Sequence, residues 1–355
     1  MPVKHLLNLA GDRLHTLPIL VLYITDGCNS RCVTCDIWRN PRLNMSRKTV
    51  EQITASIDDL NIRWVLLSGG EAMQHPHWPE IARRFRERGV YTMLLTNGLL
   101  LKKQIDDVLA TVDEVIVSLD GGTAETYEAI RGVDAFDLVV EGMRLVREGG
   151  LPVLTRTTVQ RANYHEIPQI IEVCRSVDIN HVSFLTVDVS NPHAFGPRFE
   201  QDVRIPMVAS MGPGAPPEHG PPADALTPDD VARLRTILDD VEVRFADEFA
   251  NGRMAESIEK LRGMLTYFGA INGTCDFDPP RCNAPRISTV IEVDGTLRPC
   301  YFLPTWGKLN DRTLREAIND ADAQALRRAQ RLGQRHECVS CVCPLYKGPR
   351  SLLKL

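Results

Sequence analysis

No apolar run in the sequence is long enough to cross a membrane. The longest, "LPILVLYI" at 17–24, falls far short of the roughly 20 residues a spanning helix needs, and no small-residue cleavage site follows it. Concentrated basic runs are missing as well, and a formal net charge of −5 offers no positive face to a nucleic acid. Internal repeats are absent, and the one biased stretch is Pro/Gly-rich, at 188–226. These absences argue against a membrane span and against a DNA or RNA partner, and they point to a soluble protein of the cytoplasm. With 355 residues the chain can form one large α/β domain with an appendage, or two modest domains.

Cysteine, by contrast, is plentiful, at ten residues. A disulfide framework belongs to small secreted domains in oxidising compartments, so metal or iron–sulfur ligation becomes the leading account of these thiols. Between about 19 and 187, apolar runs ("ILVLYI", "WVLLSGG", "YTMLLTN", "VDEVIVSLD", "LPVLTRTTV", "HVSFLTV") alternate with amphipathic helical patterns. Near-continuous apolar strands separated by helices predict a right-handed parallel sheet, here an α/β partial (β/α)6 TIM-like barrel. The expected organisation is a barrel core over 1–187, an insertion or flap over 188–226, connecting helices over 227–274 and a small cysteine-rich β-hairpin/helix domain over 275–355. "TPDDVARL" from Thr227 has a Thr N-cap, Pro at the first helical position and two Asp in the first turn, which predicts a helix start. The "DG" in "STVIEVDGTLRPCYF" predicts a hairpin.

Cys28, Cys32 and Cys35 lie in the loop after the first predicted strand, spaced C-x3-C-x2-C. Three thiolates from one loop can hold three irons of a [4Fe–4S] cluster and leave the fourth open to a reactant. Zinc competes on spacing alone, although its fourth ligand usually follows at a short, regular interval. One strand later comes "SGGEAMQHP", with Gly69, Gly70 and Glu71 at the strand's C-terminal end, the rim where barrels of this kind carry chemistry. The two motifs together resemble the radical S-adenosylmethionine (SAM) superfamily. The resemblance implies a SAM-binding [4Fe–4S] cluster on Cys28, Cys32 and Cys35. It also implies that the glycine motif hydrogen-bonds the methionyl amine of SAM, with Asn97, Ser118 and Asp120 on its ribose and methionyl part. The family usually has an aromatic residue before the third cysteine, where this chain has Thr34; Trp38 could take over that packing. Arg131 recurs in similar proteins, and a surface salt bridge explains it equally well. Asn163 and Glu166 read as a helix cap, His75 and His77 as shaping the turn before a helix, and Cys174 as a core thiol.

Downstream, Cys282 and Cys300 frame a C-x12-G-x4-C pattern through Gly295, and Cys338 and Cys341 form a C-x2-C pair. This resembles the twitch or SPASM-like auxiliary-cluster domain of radical SAM enzymes, in which four such cysteines hold one further [4Fe–4S] cluster; a four-cysteine zinc knuckle would use the same ligands. Cys275 and Cys343 are left over, either of them a possible ligand swap.

The resemblance implies reductive cleavage of SAM to a 5′-deoxyadenosyl radical, hydrogen-atom abstraction from a small-molecule substrate, and an external electron donor such as flavodoxin or ferredoxin. A closed auxiliary cluster favours net oxidation, so the expected reaction is dehydrogenation of a small polar metabolite in a biosynthetic pathway. Modification of a ribosomal peptide, by thioether formation or epimerisation, is the alternative, although the roughly 18 residues before the first strand leave no space there for a peptide-recognition domain. A redox-neutral decarboxylation or rearrangement, and a non-enzymatic iron–sulfur scaffold or redox sensor, complete the readings.

Overall fold

The computed structural model describes residues 3–191 and 223–354; residues 192–222, most of the expected flap, lie outside them. Six strands, β1 (Ile19–Thr25), β2 (Trp64–Gly69), β3 (Tyr91–Thr96), β4 (Glu114–Ser118), β5 (Val153–Val159) and β6 (His181–Thr186), pair in parallel in chain order. All six coincide with the apolar runs of the sequence. β1 is buried at every position, the pattern of a parallel strand covered on both faces. β5 alternates instead: Val153, Thr155, Thr157 and Val159 are buried, while Leu154, Arg156 and Thr158 are half-buried.

The sheet curves without closing, so it is a partial barrel. β7 (Ser288–Ile291) then pairs in parallel with the free edge of β1, from Ile19 opposite Ser288 to Leu22 opposite Ile291. β8 (Thr296–Arg298) and β9 (Gly307–Lys308) follow in antiparallel order. The β7–β8 turn is the expected hairpin, with Gly295 at φ +84°, a conformation that glycine adopts without strain. Among the described residues the strands form one nine-stranded sheet, β6-β5-β4-β3-β2-β1-β7-β8-β9. The hairpin of the cysteine-rich segment thus continues the sheet of the barrel.

One hydrophobic layer fills the space between the sheet's outer face and the helices. A smaller one lines the inner face, where Val21, Tyr23, Leu66, Ile116 and Val290 pack with Ile37 and Tyr301. The helix Pro228–Arg244 starts as its sequence foretells, at Thr227 with a reciprocal Thr227–Asp230 capping box. Far along the chain, the helix Ala321–Arg331 returns to the N-terminal segment. Arg328 and Arg331 pair with Asp12 at 3.1 Å, and Arg327 Nε donates to the Asp12 carbonyl at 2.6 Å. No helix among the described residues is long and apolar enough to cross a membrane.

Candidate functional site

The first cysteine loop is seated by the two glycines of β2's C-terminal end. Gly69 has φ +131°, and a Cβ there would stand 2.2 Å from the Thr25 carbonyl oxygen; a Cβ on Gly70 would stand 2.4 Å from that of Gly27. Because both lack one, the loop backbone lies directly against β2. Gly70 N donates to Thr25 O at 2.8 Å and Glu71 N to Gly27 O at 2.7 Å. Glu71 turns inward, 1% exposed, and its carboxylate accepts from Met73 N, Thr96 Oγ1 and Asn97 N at 3.1, 2.9 and 2.7 Å. Burial pushes this carboxyl above its usual range, against the pull of those donors. Asn97 extends the network to the loop itself, donating to Asn29 Oδ1 at 2.8 Å and Ser30 Oγ at 3.0 Å and reaching Cys28 Sγ at 4.0 Å.

Cys28, Cys32 and Cys35 are all half-buried in this loop. Burial raises the Cys28 thiol pKa and takes that of Cys32 up to about 11, with Arg131 opposing the rise at Cys32. A thiolate in such a place needs a cation beside it, which a bound metal centre provides. Among the described residues, no group of three or more His, Cys, Asp or Glu gathers tightly enough to hold a single ion. A cubane asks for something different, one thiolate per iron at separate corners, and three soft sulfur donors on one loop fit that chemistry.

Around the loop, Asp120 and Arg131 form an ion pair at 2.9 Å with side chains 6% and 12% exposed. The pair is buried, not the surface bridge the sequence suggested. Asp120 Oδ1 also accepts from Thr158 N at 2.7 Å. Glu166 caps a helix, though not the one that follows it. Its carboxylate accepts from Gly122 N, Thr123 Oγ1 and Thr126 Oγ1 at the start of the helix Ala124–Arg131. Asn163 ties the Asp120 and Thr158 carbonyls together. His75 is buried, with Nε2 on the Met45 carbonyl at 3.2 Å and Nδ1 accepting from His77 N at 3.0 Å, which is the turn-shaping role expected of it. Cys174 is a core thiol, fully buried and pushed up to about 12 by that burial. Trp38 carries the Arg39 guanidinium over its ring at 4.9 Å.

The inner face holds a residue that sequence reasoning passed over. By register, Ser118 stands opposite Arg156 and Arg156 opposite Ser183, so the three form a row across β4, β5 and β6. Arg156 Nε is buried with no hydrogen-bond partner, and so are both amide atoms of Gln160, immediately after β5. Ser183 is occupied, donating to Glu256 Oε1 at 3.0 Å. A guanidinium facing a hydroxyl on a parallel strand can take a carboxylate. The readable signal was a charge in mid-strand where an inner position is otherwise apolar.

In the C-terminal segment, Cys300, Cys338, Cys341 and Cys343 all lie within electrostatic reach of Cys282. Burial pushes Cys300 and Cys338 up to about 12. Arg156 acts on Cys343 as well, so this group borders the inner face of the barrel. Cys275 stands apart: it is exposed and donates to the Thr266 carbonyl at 3.5 Å.

Two stretches of the chain match known families. Residues 22–174 match the radical SAM superfamily and residues 282–342 the SPASM iron–sulfur cluster-binding domain. The chain therefore carries a SAM-binding [4Fe–4S] cluster, SAM and an auxiliary iron–sulfur centre as its cofactors. The AdoMet-dependent heme synthase of Methanosarcina barkeri is 33% identical over 170 residues, 46% of this chain and 49% of that protein. The Fe-coproporphyrin III synthase of the same organism is 32% identical over 187 residues, 51% and 46% of the two chains. A probable GTP 3′,8-cyclase of Saccharolobus islandicus is 32% identical over 171 residues, 47% and 56%. The chain thus spans about half the length of the curated relatives it matches. The fold is shared with Streptococcus suis SuiB bound to precursor peptide SuiA (TM-score 0.64, 16% identity, 99% of this chain and 80% of that one). It is shared also with anSMEcpe with bound AdoMet and Cp18Cys peptide (0.61, 17%, 87% and 82%).

Proposed function

We propose that this chain, whose residues 22–174 match the radical SAM superfamily, is a radical SAM enzyme that oxidises a small polar metabolite within the partial barrel. Cys28, Cys32 and Cys35 would hold the SAM-binding cluster, and Cys282, Cys300, Cys338 and Cys341 the auxiliary one, with Cys343 at its border. When bound, these groups supply a reducing electron that breaks the C5′–S bond of SAM, a carbon radical able to take a hydrogen atom, and an acceptor for the electron the substrate then loses.

The residues of the chain do the rest. Gly69 and Gly70 bring the loop backbone against β2, fixing the three thiols at the rim. Asn97 orients Asn29 and Ser30 beside Cys28. Ser118 and Arg156 offer a hydroxyl and an unpaired guanidinium to the methionyl carboxylate of SAM. Val21, Leu66 and Ile116 form an apolar patch against which Ile37 and Tyr301 pack, surroundings that help to keep water from a reactive centre. An external one-electron carrier, such as flavodoxin or ferredoxin, would reduce the cluster.

The observation that carries the oxidative reading is the pairing of β7 with β1. It joins the second cysteine segment to the strand that bears the first, and Arg156 on the inner face lies within electrostatic reach of Cys343. Anaerobically reconstituted, reduced protein should form 5′-deoxyadenosine from SAM, and a Cys32→Ala variant should form none. A Cys300→Ala variant should still cleave SAM yet fail to release an oxidised product. Intact clusters without any 5′-deoxyadenosine would sink the enzyme reading. Mass analysis of a trapped product separates metabolite oxidation from peptide modification.

A further inference from the structure

We infer that Arg131 and Tyr127 form a charged, hydrogen-bond-donating floor beneath Cys32 that tunes the reduction potential of the cluster this loop holds. The inference rests on the proposed role of Cys28, Cys32 and Cys35. The backbone on either side of Cys32 is fastened to the last turn of the helix Ala124–Arg131: Arg31 N donates to Arg131 O and Val33 N to Ile130 O, each at 3.0 Å. These loop amides satisfy carbonyls that a helix end otherwise leaves open. Gly132 permits the contact, since at φ +68° a Cβ there would stand 2.6 Å from the Arg31 carbonyl oxygen. The loop around Cys32 is thereby fastened to the helix that carries both side chains.

Those side chains have donors to spare. Arg131 gives Nη1 to Asp120, but its Nε is buried with no hydrogen-bond partner; the hydroxyl of the fully buried Tyr127 lies beside the Arg131 guanidinium and gives its own proton to no acceptor. A buried polar group without a partner is costly and rare in a native protein. Two such groups side by side, both within electrostatic reach of the Cys32 sulfur, mark a place built for an acceptor. Hydrogen bonds to cluster sulfurs and charges next to them are what set the potential of an iron–sulfur centre. Reduction adds one negative charge to the centre, and a buried guanidinium favours that charge more strongly than it would in water. Asp120 offsets part of this field, yet it also holds the guanidinium in place. Arg131 and Tyr127 are positioning residues in this sense, with no contact to the reacting atoms.

Removing the guanidinium should therefore make the cluster harder to reduce. The test is a potentiometric titration of the full-length reconstituted protein followed by EPR, read on the signal that added SAM perturbs so that the auxiliary centre is kept apart. In an Arg131→Gln variant with full iron content, the ratio of reduced to oxidised cluster at a fixed potential should fall about tenfold, a negative shift of about 59 mV for one electron. Arg131→Lys, which keeps the charge, should stay near the parent protein, and Tyr127→Phe should shift in the same direction by less. Unchanged potentials in Arg131→Gln and Tyr127→Phe overturn the inference, as does a shift in Arg131→Lys equal to that in Arg131→Gln. Should Arg131→Gln lose iron, Tyr127→Phe decides alone: a negative shift supports the role and none overturns it. Parent protein that binds iron yet gives no SAM-sensitive signal would instead overturn the cluster assignment beneath it.

Discussion

Arg156 is a positive charge on an otherwise largely apolar inner wall, and its proposed use is to hold the carboxylate of SAM. A hydrogen bond to a charged group contributes about 1.5–3 kcal/mol, so Arg156→Gln should weaken SAM binding at least tenfold. Equilibrium dialysis on oxidised, cluster-loaded protein measures this, with iron content assayed alongside so that a loss of cluster is told apart from a loss of SAM. Unaltered affinity would move the carboxylate site elsewhere. The cysteines were legible from sequence because their chemistry resides in spacing. Arg156 and Arg131 were not, because a charge in a sequence reads as solvent-facing until the curvature of the sheet or the burial of its partner is known. Glu71 was legible as a motif, but its inward turn onto Thr96 and Asn97 depends on β3, a neighbour that the motif does not mention.

At the level of elements, two glycines should respond to alanine with opposite sign. Gly70→Ala places a methyl group 2.4 Å from a backbone oxygen of the cysteine loop. Backbone cannot swing aside as a side chain can, so the variant should lose on the order of 1–3 kcal/mol together with part of its cluster loading. Gly263, exposed within the helix Ile258–Ile271 and with nothing within 4 Å, should gain roughly 0.5–1 kcal/mol on the same change. Paired thermal melts of the iron-free chains, with iron quantitation on the loaded ones, test both. The six parallel strands and their helices were legible because each carries its own period, and the later helix from Pro228 was legible from its cap at Thr227. The Glu166 cap was harder to read, since the helix it serves lies forty residues upstream of it.

Across the whole molecule, the two ends of the chain are fastened together. Arg331 and Arg328 hold the Asp12 carboxyl below its usual range. A depressed carboxylate stabilises the fold above its unfolded pKa, and that contribution fades as pH falls through the folded value. Acid unfolding below about pH 4 should therefore lose one pH-dependent increment in Asp12→Asn, seen as a shallower dependence of the denaturation midpoint on pH than in the parent. An identical dependence would leave this clasp without weight. The joining of β7 to β1 had no local signal in the sequence, because the partners are far apart and either could have been an edge. It also has a consequence for synthesis. At about 5–20 residues per second, the ribosome needs roughly ten seconds to a minute to travel from β1 to β7. During that interval the largely apolar β1 has only one strand to pair with. An exposed apolar edge invites pairing with other chains, so a message cut short before residue 288 should yield aggregate instead of a shorter working barrel, and the nascent chain is one that chaperones would have reason to attend.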